Sequence, residues 1–86
     1  MEKMIKVIAL TTQQILISQI EEVGADIGEP DCKLTKPFVI KNDHTMEPFL
    51  RGYTKQPSFM MSSDKILTLA DPTPLLLEKY EDLIKE

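Results

Sequence analysis

The sequence predicts a mainly β domain of five strands finished by one C-terminal helix. Three observations carry that expectation. Short β-branched and apolar runs recur between polar or Gly/Pro-containing breaks. Spacing of the helical kind appears over residues 73–85. At 86 residues the chain has room for one domain, spanning 1–86.

The first run, "MIKVIAL", is β-branched and apolar on both faces, as a buried strand is. "TTQQ" interrupts it and "ILISQIEEV" resumes as a second strand, so the pair reads as a hairpin. "GADIGEPD", with two Gly, a Pro and three acids, is a loop. "CKLTKPFVIK" then alternates, with Cys32, Leu34, Phe38 and Ile40 on one face and Lys33, Thr35, Val39 and Lys41 on the other. Lys36 falls on the apolar face, out of pattern, and marks a bend or bulge before Pro37.

Residues 42–57, "NDHTMEPFLRGYTKQP", hold no periodicity and contain two Pro and a Gly. They read as a long loop, of the kind that is usually functional. "SFMM" and "ILTLA" are the fourth and fifth strands, joined by the tight polar turn "SSDK". Thr73 is a good N-cap and Pro74 suits the first helical position, where its missing N–H costs nothing. Leu76, Tyr80, Leu83 and Ile84 then form the apolar face of a helix over 73–85.

A chain of this length buries only about 60–65% of its unfolded surface. With two Tyr, three Phe and no Trp, its core is aliphatic. Ile5, Val7, Ala9, Ile15, Ile17, Leu34, Phe38, Ile66 and Leu69 are the expected core. One Cys cannot staple a monomer, so self-association is the remaining support for a small core. The lone Cys and the lack of a signal-peptide pattern point to the cytoplasm. No run is long enough to span a bilayer, and no membrane partner is expected.

The net charge of −4 argues against nucleic-acid binding by bulk electrostatics. The charge is uneven, however. Residues 1–32 carry two Lys against six carboxylates, and residues 33–55 carry five cations against two. That middle segment is a solvated face or a basic binding patch.

The order of these elements resembles the Sm-like (LSm) protein family. "IKVIALTTQQILISQIEEVGADIGEPDCKL" follows the layout of the family's first signature: apolar strand, hairpin, second strand, Gly/Asp loop, third strand. Met60-Met61-Ser62-Ser63-Asp64-Lys65-Ile66 occupies the frame of the second signature. The resemblance covers about residues 5–71. It implies a small, strongly bent five-stranded barrel over 1–71, to which the C-terminal α-helix, read from its own cap and spacing, is an addition in place of the family's usual N-terminal helix. It also implies a homo-oligomeric ring closed by pairing of the fourth and fifth strands, and association with single-stranded RNA.

The pocket residues depart from the family's pattern. Glu29-Pro30-Asp31 stand at the stacking and pairing positions and offer carboxylates but no π-face. Ser62-Ser63 stand where the family has Arg-Gly, so the planar cation is gone. Two functions stay open: an RNA-associated ring with a divergent pocket, or a ring that binds other proteins or serves as a scaffold.

Few residues suggest other chemistry. Cys32, on the inward face of its strand, reads as core rather than as a reactive thiol. His44 is the sole histidine and, with no second His or Cys nearby, reads as a surface residue. Asp26, Glu29 and Asp31 lack the fixed Gly and closing Glu of a calcium loop. No nucleophile–base pair or phosphate-cradling Gly-rich loop is present, so neither an enzyme nor a cofactor or metal is expected. Phe49, Arg51, Tyr53 and Lys55 interleave aromatic and basic groups around Gly52, a composition that suits single-stranded nucleic acid. The candidate RNA contacts are therefore Arg51, Tyr53 and Lys55, with Lys65 as the sole cation of the family's usual pocket.

Overall fold

The chain's fold is seen in a computed structural model that describes residues 4–24, 26, 27, 29–50 and 52–85. Among them, six strands form one antiparallel sheet: β1 (Met4–Leu10), β2 (Ile15–Glu22), β3 (Cys32–Ile40), β4 (Met46–Pro48), β5 (Ser58–Met61) and β6 (Ile66–Ala70). A helix, α1 (Pro74–Ile84), follows. The mainly β reading with a C-terminal helix holds. The strand that sequence reasoning does not separate is β4, three residues inside the 42–57 loop, too short to show a period and ended by Pro48.

The sheet runs β4-β3-β2-β1-β6, with β5 also on β3. β4 pairs with Phe38–Ile40 and β5 with Cys32–Thr35, so the two lie end to end along one edge of β3. The sheet is not closed into a barrel: β6 forms one margin, and β4 with β5 the other. A single 3-10 turn over Ser63–Lys65 links β5 to β6, carrying the chain from one margin to the other. The first hairpin turns at 11–14, where Gln13 takes a left-handed φ of 72° and donates its amide to the Leu10 carbonyl at 2.9 Å.

Two register shifts bend the sheet. One lies opposite Ser18, because Ile17 pairs with Phe38 but Gln19 with Thr35, leaving an extra residue in β3. Lys36 has φ 52°, the left-handed geometry of a bulge. The out-of-pattern lysine thus marks a real bulge. The other shift lies in β6, where Ala9 pairs with Thr68 but Leu10 with Ile66.

The β3 bulge also corrects the expected core. One extra residue reverses alternation beyond it. Leu34 pairs with Ile20 on one face, whereas Phe38 pairs with Ile17 on the other and meets Tyr80 edge-on, ring centres 5.8 Å apart. Val39, not Phe38, packs with the main cluster of Ile8, Leu10, Leu16, Ile20, Cys32 and Leu34. In β1 the fully buried residues are Ile8 and Leu10, while Ile5, Val7 and Ala9 are half-buried. Ile15 and Leu69 are exposed. A strand apolar on both faces carries no alternation to read, so its parity is not encoded locally.

Thr73 caps α1 as expected, its hydroxyl accepting from the Leu76 amide at 3.3 Å, with Pro74 at the first helical position. Tyr80 is fully buried and Leu76 and Ile84 half-buried, but Leu83 is exposed. No helix among the described residues is long and apolar enough to cross a membrane.

Candidate nucleic-acid interface

The bulge determines where functional groups can gather. Lys36 breaks the ladder between β4 and β5, and the chain leaves the sheet after Pro48 and rejoins it at Ser58, on either side of that gap. The loop is pinned on both sides: the Phe49 amide donates to the Pro37 carbonyl at 2.9 Å, and the Lys36 amide to the Pro57 carbonyl at 2.7 Å. Within it, Leu50 and Gly52 take positive φ values of 59° and 87°, and the Tyr53 amide donates to the Leu50 carbonyl. Gln56 braces the return through its side-chain amide, which donates to the Ser58 carbonyl.

A cleft of about 340 Å³ opens between this loop, the bulge and the end of α1. Pro37, Phe38, Phe49, Phe59 and Leu83 supply its apolar wall, and Phe49 meets Phe59 edge-on at 5.7 Å. Among the described residues its lining includes two cations, Lys36 and Lys55, and no carboxylate. The Lys36 ammonium donates to the Ile84 carbonyl at 3.4 Å, which places it at the rim under the helix end. In a chain of net charge −4, this is a local reversal of sign.

A second cleft, of about 270 Å³, has the opposite character. Its floor is Met4, Ile20, Cys32, Ile66 and Leu69, and its rim carries Glu21, Glu22 and Asp31, with no cation in the lining among the described residues. Here Asp31 and the 3-10 turn at Ser63 meet. The Asp31 carboxylate accepts from the Ser63 amide at 2.7 Å and from the Ser63 hydroxyl at 2.8 Å. The Ser63 hydroxyl and amide hold Asp31 below the usual carboxylate range, because both bonds favour the charged form. Burial, then the charges of Asp31 and Glu22, push the Cys32 thiol up, so it stays protonated and unreactive at neutral pH.

The candidate RNA contacts fall in different places. Arg51 lies outside the described residues. Tyr53 is 86% exposed, its ring available to solvent, beside Phe49 and Leu50 rather than in the larger cleft. Lys55 lines the larger cleft. Lys65 is exposed at the 3-10 turn, outside that cleft, and its carbonyl accepts from the Thr11 amide at 2.9 Å. Lys55 and Lys65 therefore do not form one site. Sequence reasoning misses Lys36, Phe59 and Leu83 as cleft residues; the misplaced lysine is the one local signal for the first.

His44 sits exposed at a turn with φ 67°, its amide donating to the Lys41 carbonyl at 2.9 Å. Of the basic segment, Lys41 is engaged with Glu47 at 3.2 Å. No group of three or more His, Cys, Asp or Glu side chains among the described residues is placed to hold a metal ion.

Residues 3–85 match the model of a family of unknown function (DUF6561), and the chain belongs to that family. No curated protein matches it.

Proposed function

We propose that the chain is an Sm-like, ring-forming, non-enzymatic protein of the cytoplasm that associates with single-stranded RNA through a surface other than the family's usual pocket. The observation that carries this reading is topological. Strand order β6-β1-β2-β3-β5, with β5 and β6 joined by a 3-10 turn and left at opposite margins of an open sheet, supports it, because the resemblance implies that the last two strands of the barrel present open edges. The direct contact of Asp31 with Ser63 supports it further, since the resemblance puts those residues in the two halves of one pocket.

Two open margins leave backbone donors and acceptors to be satisfied by a neighbour. β6 carries exposed Leu67 and β5 exposed Met60, at 68% and 50%. Pairing β5 of one copy with β6 of the next would cover both, and a head-to-tail contact of that kind closes into a ring. Native mass spectrometry at micromolar concentration tests this; the expected result is a closed oligomer, and monomer alone would overturn it.

A second reading, a ring that binds proteins or acts as a scaffold, is favoured by the acidic cleft. Glu21, Glu22 and Asp31 around an apolar floor repel phosphate and suit a cationic protein segment. RNA binding with a steep salt dependence would set this second reading aside.

A further inference from the structure

The lysine-bearing cleft differs from the acidic one in charge and in its aromatic wall, and both differences point to one kind of occupant. Its wall is aromatic and proline-rich, with Phe38, Phe49 and Phe59 brought together from β3, the loop and β5. Its two cations come from separated positions, Lys36 at the bulge and Lys55 on the loop, and the fold places them around one opening. The volume, about 340 Å³, is of the size that takes a small ligand or one unit of a larger one. A flat, apolar group with an attached anion satisfies the wall and the rim together.

We propose that this cleft binds one unpaired nucleotide of a single-stranded RNA, with its base against Phe49 and Phe59 and its phosphate between Lys36 and Lys55. This rests on the RNA reading above and specifies its site. Base stacking on aromatic rings with a lysine on the backbone is how single strands are held without sequence readout. The acidic cleft at Asp31 cannot serve the same ligand, because its three rim carboxylates oppose a phosphate. The bulge is what permits the arrangement. An extra residue in β3 turns Lys36 out of the ladder and separates β4 from β5, and the loop leaves through that gap, tied to Pro37.

The test is fluorescence anisotropy with labelled U and A homopolymers, each about 12 nucleotides long, on the full chain at about 50 mM salt. Lys36→Gln/Lys55→Gln keeps most of both stems and removes both charges. It is expected to weaken binding about tenfold or more and to reduce the salt slope by about 0.7, the single-strand value for the one phosphate no longer neutralised. Phe59→Leu keeps apolar volume but removes a ring, and is expected to weaken binding about tenfold without changing the salt slope. Thermal melting of each variant checks that the fold is retained. Lys65→Gln, outside the cleft, is expected to bind as wild type does.

Binding that survives the double lysine change but disappears in Lys65→Gln would overturn this site and leave the RNA reading standing. No binding of either homopolymer by the wild type would overturn both. Saturable binding of 5′-AMP or 5′-UMP without binding of the homopolymers would also overturn the proposal, in favour of a free nucleotide.

Discussion

The Tyr80 hydroxyl donates to the Lys36 carbonyl at 2.8 Å, joining the helix to the one residue that breaks the β3 ladder. The same hydroxyl accepts from the Gln19 amide and lies 3.2 Å from the Thr35 carbonyl. A bulge leaves ladder groups without a cross-strand partner, and a buried group left so costs free energy. Tyr80 supplies the missing partner from outside the sheet, while the Ser18 hydroxyl donates to the Thr35 carbonyl at 3.1 Å.

Tyr80→Phe keeps the ring against Phe38 and removes only the hydroxyl. It should destabilise the fold by about 1–3 kcal/mol, the cost of stranding a buried polar group. Tyr80→Ala, which also empties a fully buried site, should cost about 3–5 kcal/mol. Urea unfolding of both variants checks the order. A Tyr80→Phe variant as stable as wild type would mean that the hydroxyl adds nothing beyond packing.

Burial pushes the Tyr80 phenol above its ordinary value of 10.0, and the Gln19 amide offsets only part of that. A raised folded value means the native state holds the proton more tightly than the unfolded chain. The stability this contributes is complete below the ordinary value of 10.0 and disappears as pH rises through the folded value. Wild type should therefore lose stability in alkali more steeply than Tyr80→Phe. Parallel alkaline unfolding curves would refute the assignment.

Legibility in the sequence depends on the kind of signal. The helix is legible because Thr73, Pro74 and the spacing of Leu76 and Tyr80 are local signals that agree with one another. The bulge is legible because a lysine on an apolar face violates alternation. Its consequence is not, since the switch of Phe38 to the helix side depends on register with β2. In the candidate site, Lys55 is found from composition. Lys36, Phe59 and Leu83 reach the same cleft from three separate elements, a proximity that only tertiary structure creates.

The Asp31–Ser63 pair should make the fold acid-sensitive in a traceable way. Because the folded carboxyl value is lowered from 3.8, the stability it contributes is present above that value and fades as pH falls through the folded one. Ser63→Ala removes the hydroxyl bond, the larger cause of the lowering, and should raise the Asp31 value toward the ordinary range. Carboxyl-detected NMR titration reads this directly. An unchanged Asp31 midpoint in the variant would show that the bond is not maintained in solution.

Leu67→Arg with Leu69→Arg should separate assembly from folding. Leu67 is exposed on β6, and Leu69 is half-exposed at the floor of the acidic cleft, so neither is one of the buried residues of the cluster around Ile8 and Leu34. If copies pair through that margin, added like charges there should shift native mass spectra from oligomer to monomer while the circular dichroism spectrum stays β-rich. An oligomer that survives both changes would place the interface elsewhere.

Tyr53 gives the sharpest contrast with the cations of the same loop. Its ring is 86% exposed, and it stands on the segment that borders the lysine-bearing cleft. A strand entering the cleft would pass this ring, and stacking there should make Tyr53→Ala cost about 1–3 kcal/mol of RNA affinity. That cost should be nearly independent of salt, because the ring neutralises no phosphate. Replacing Arg51 and Lys55, by contrast, should lower the salt slope by roughly 0.7 for each phosphate no longer neutralised. Measuring affinity across a salt series separates the two effects. If Tyr53→Ala and the Arg51/Lys55 variant bind as wild type does while Lys65→Ala does not, the strand runs along the 3-10 turn, next to Ser63 and its bond to Asp31.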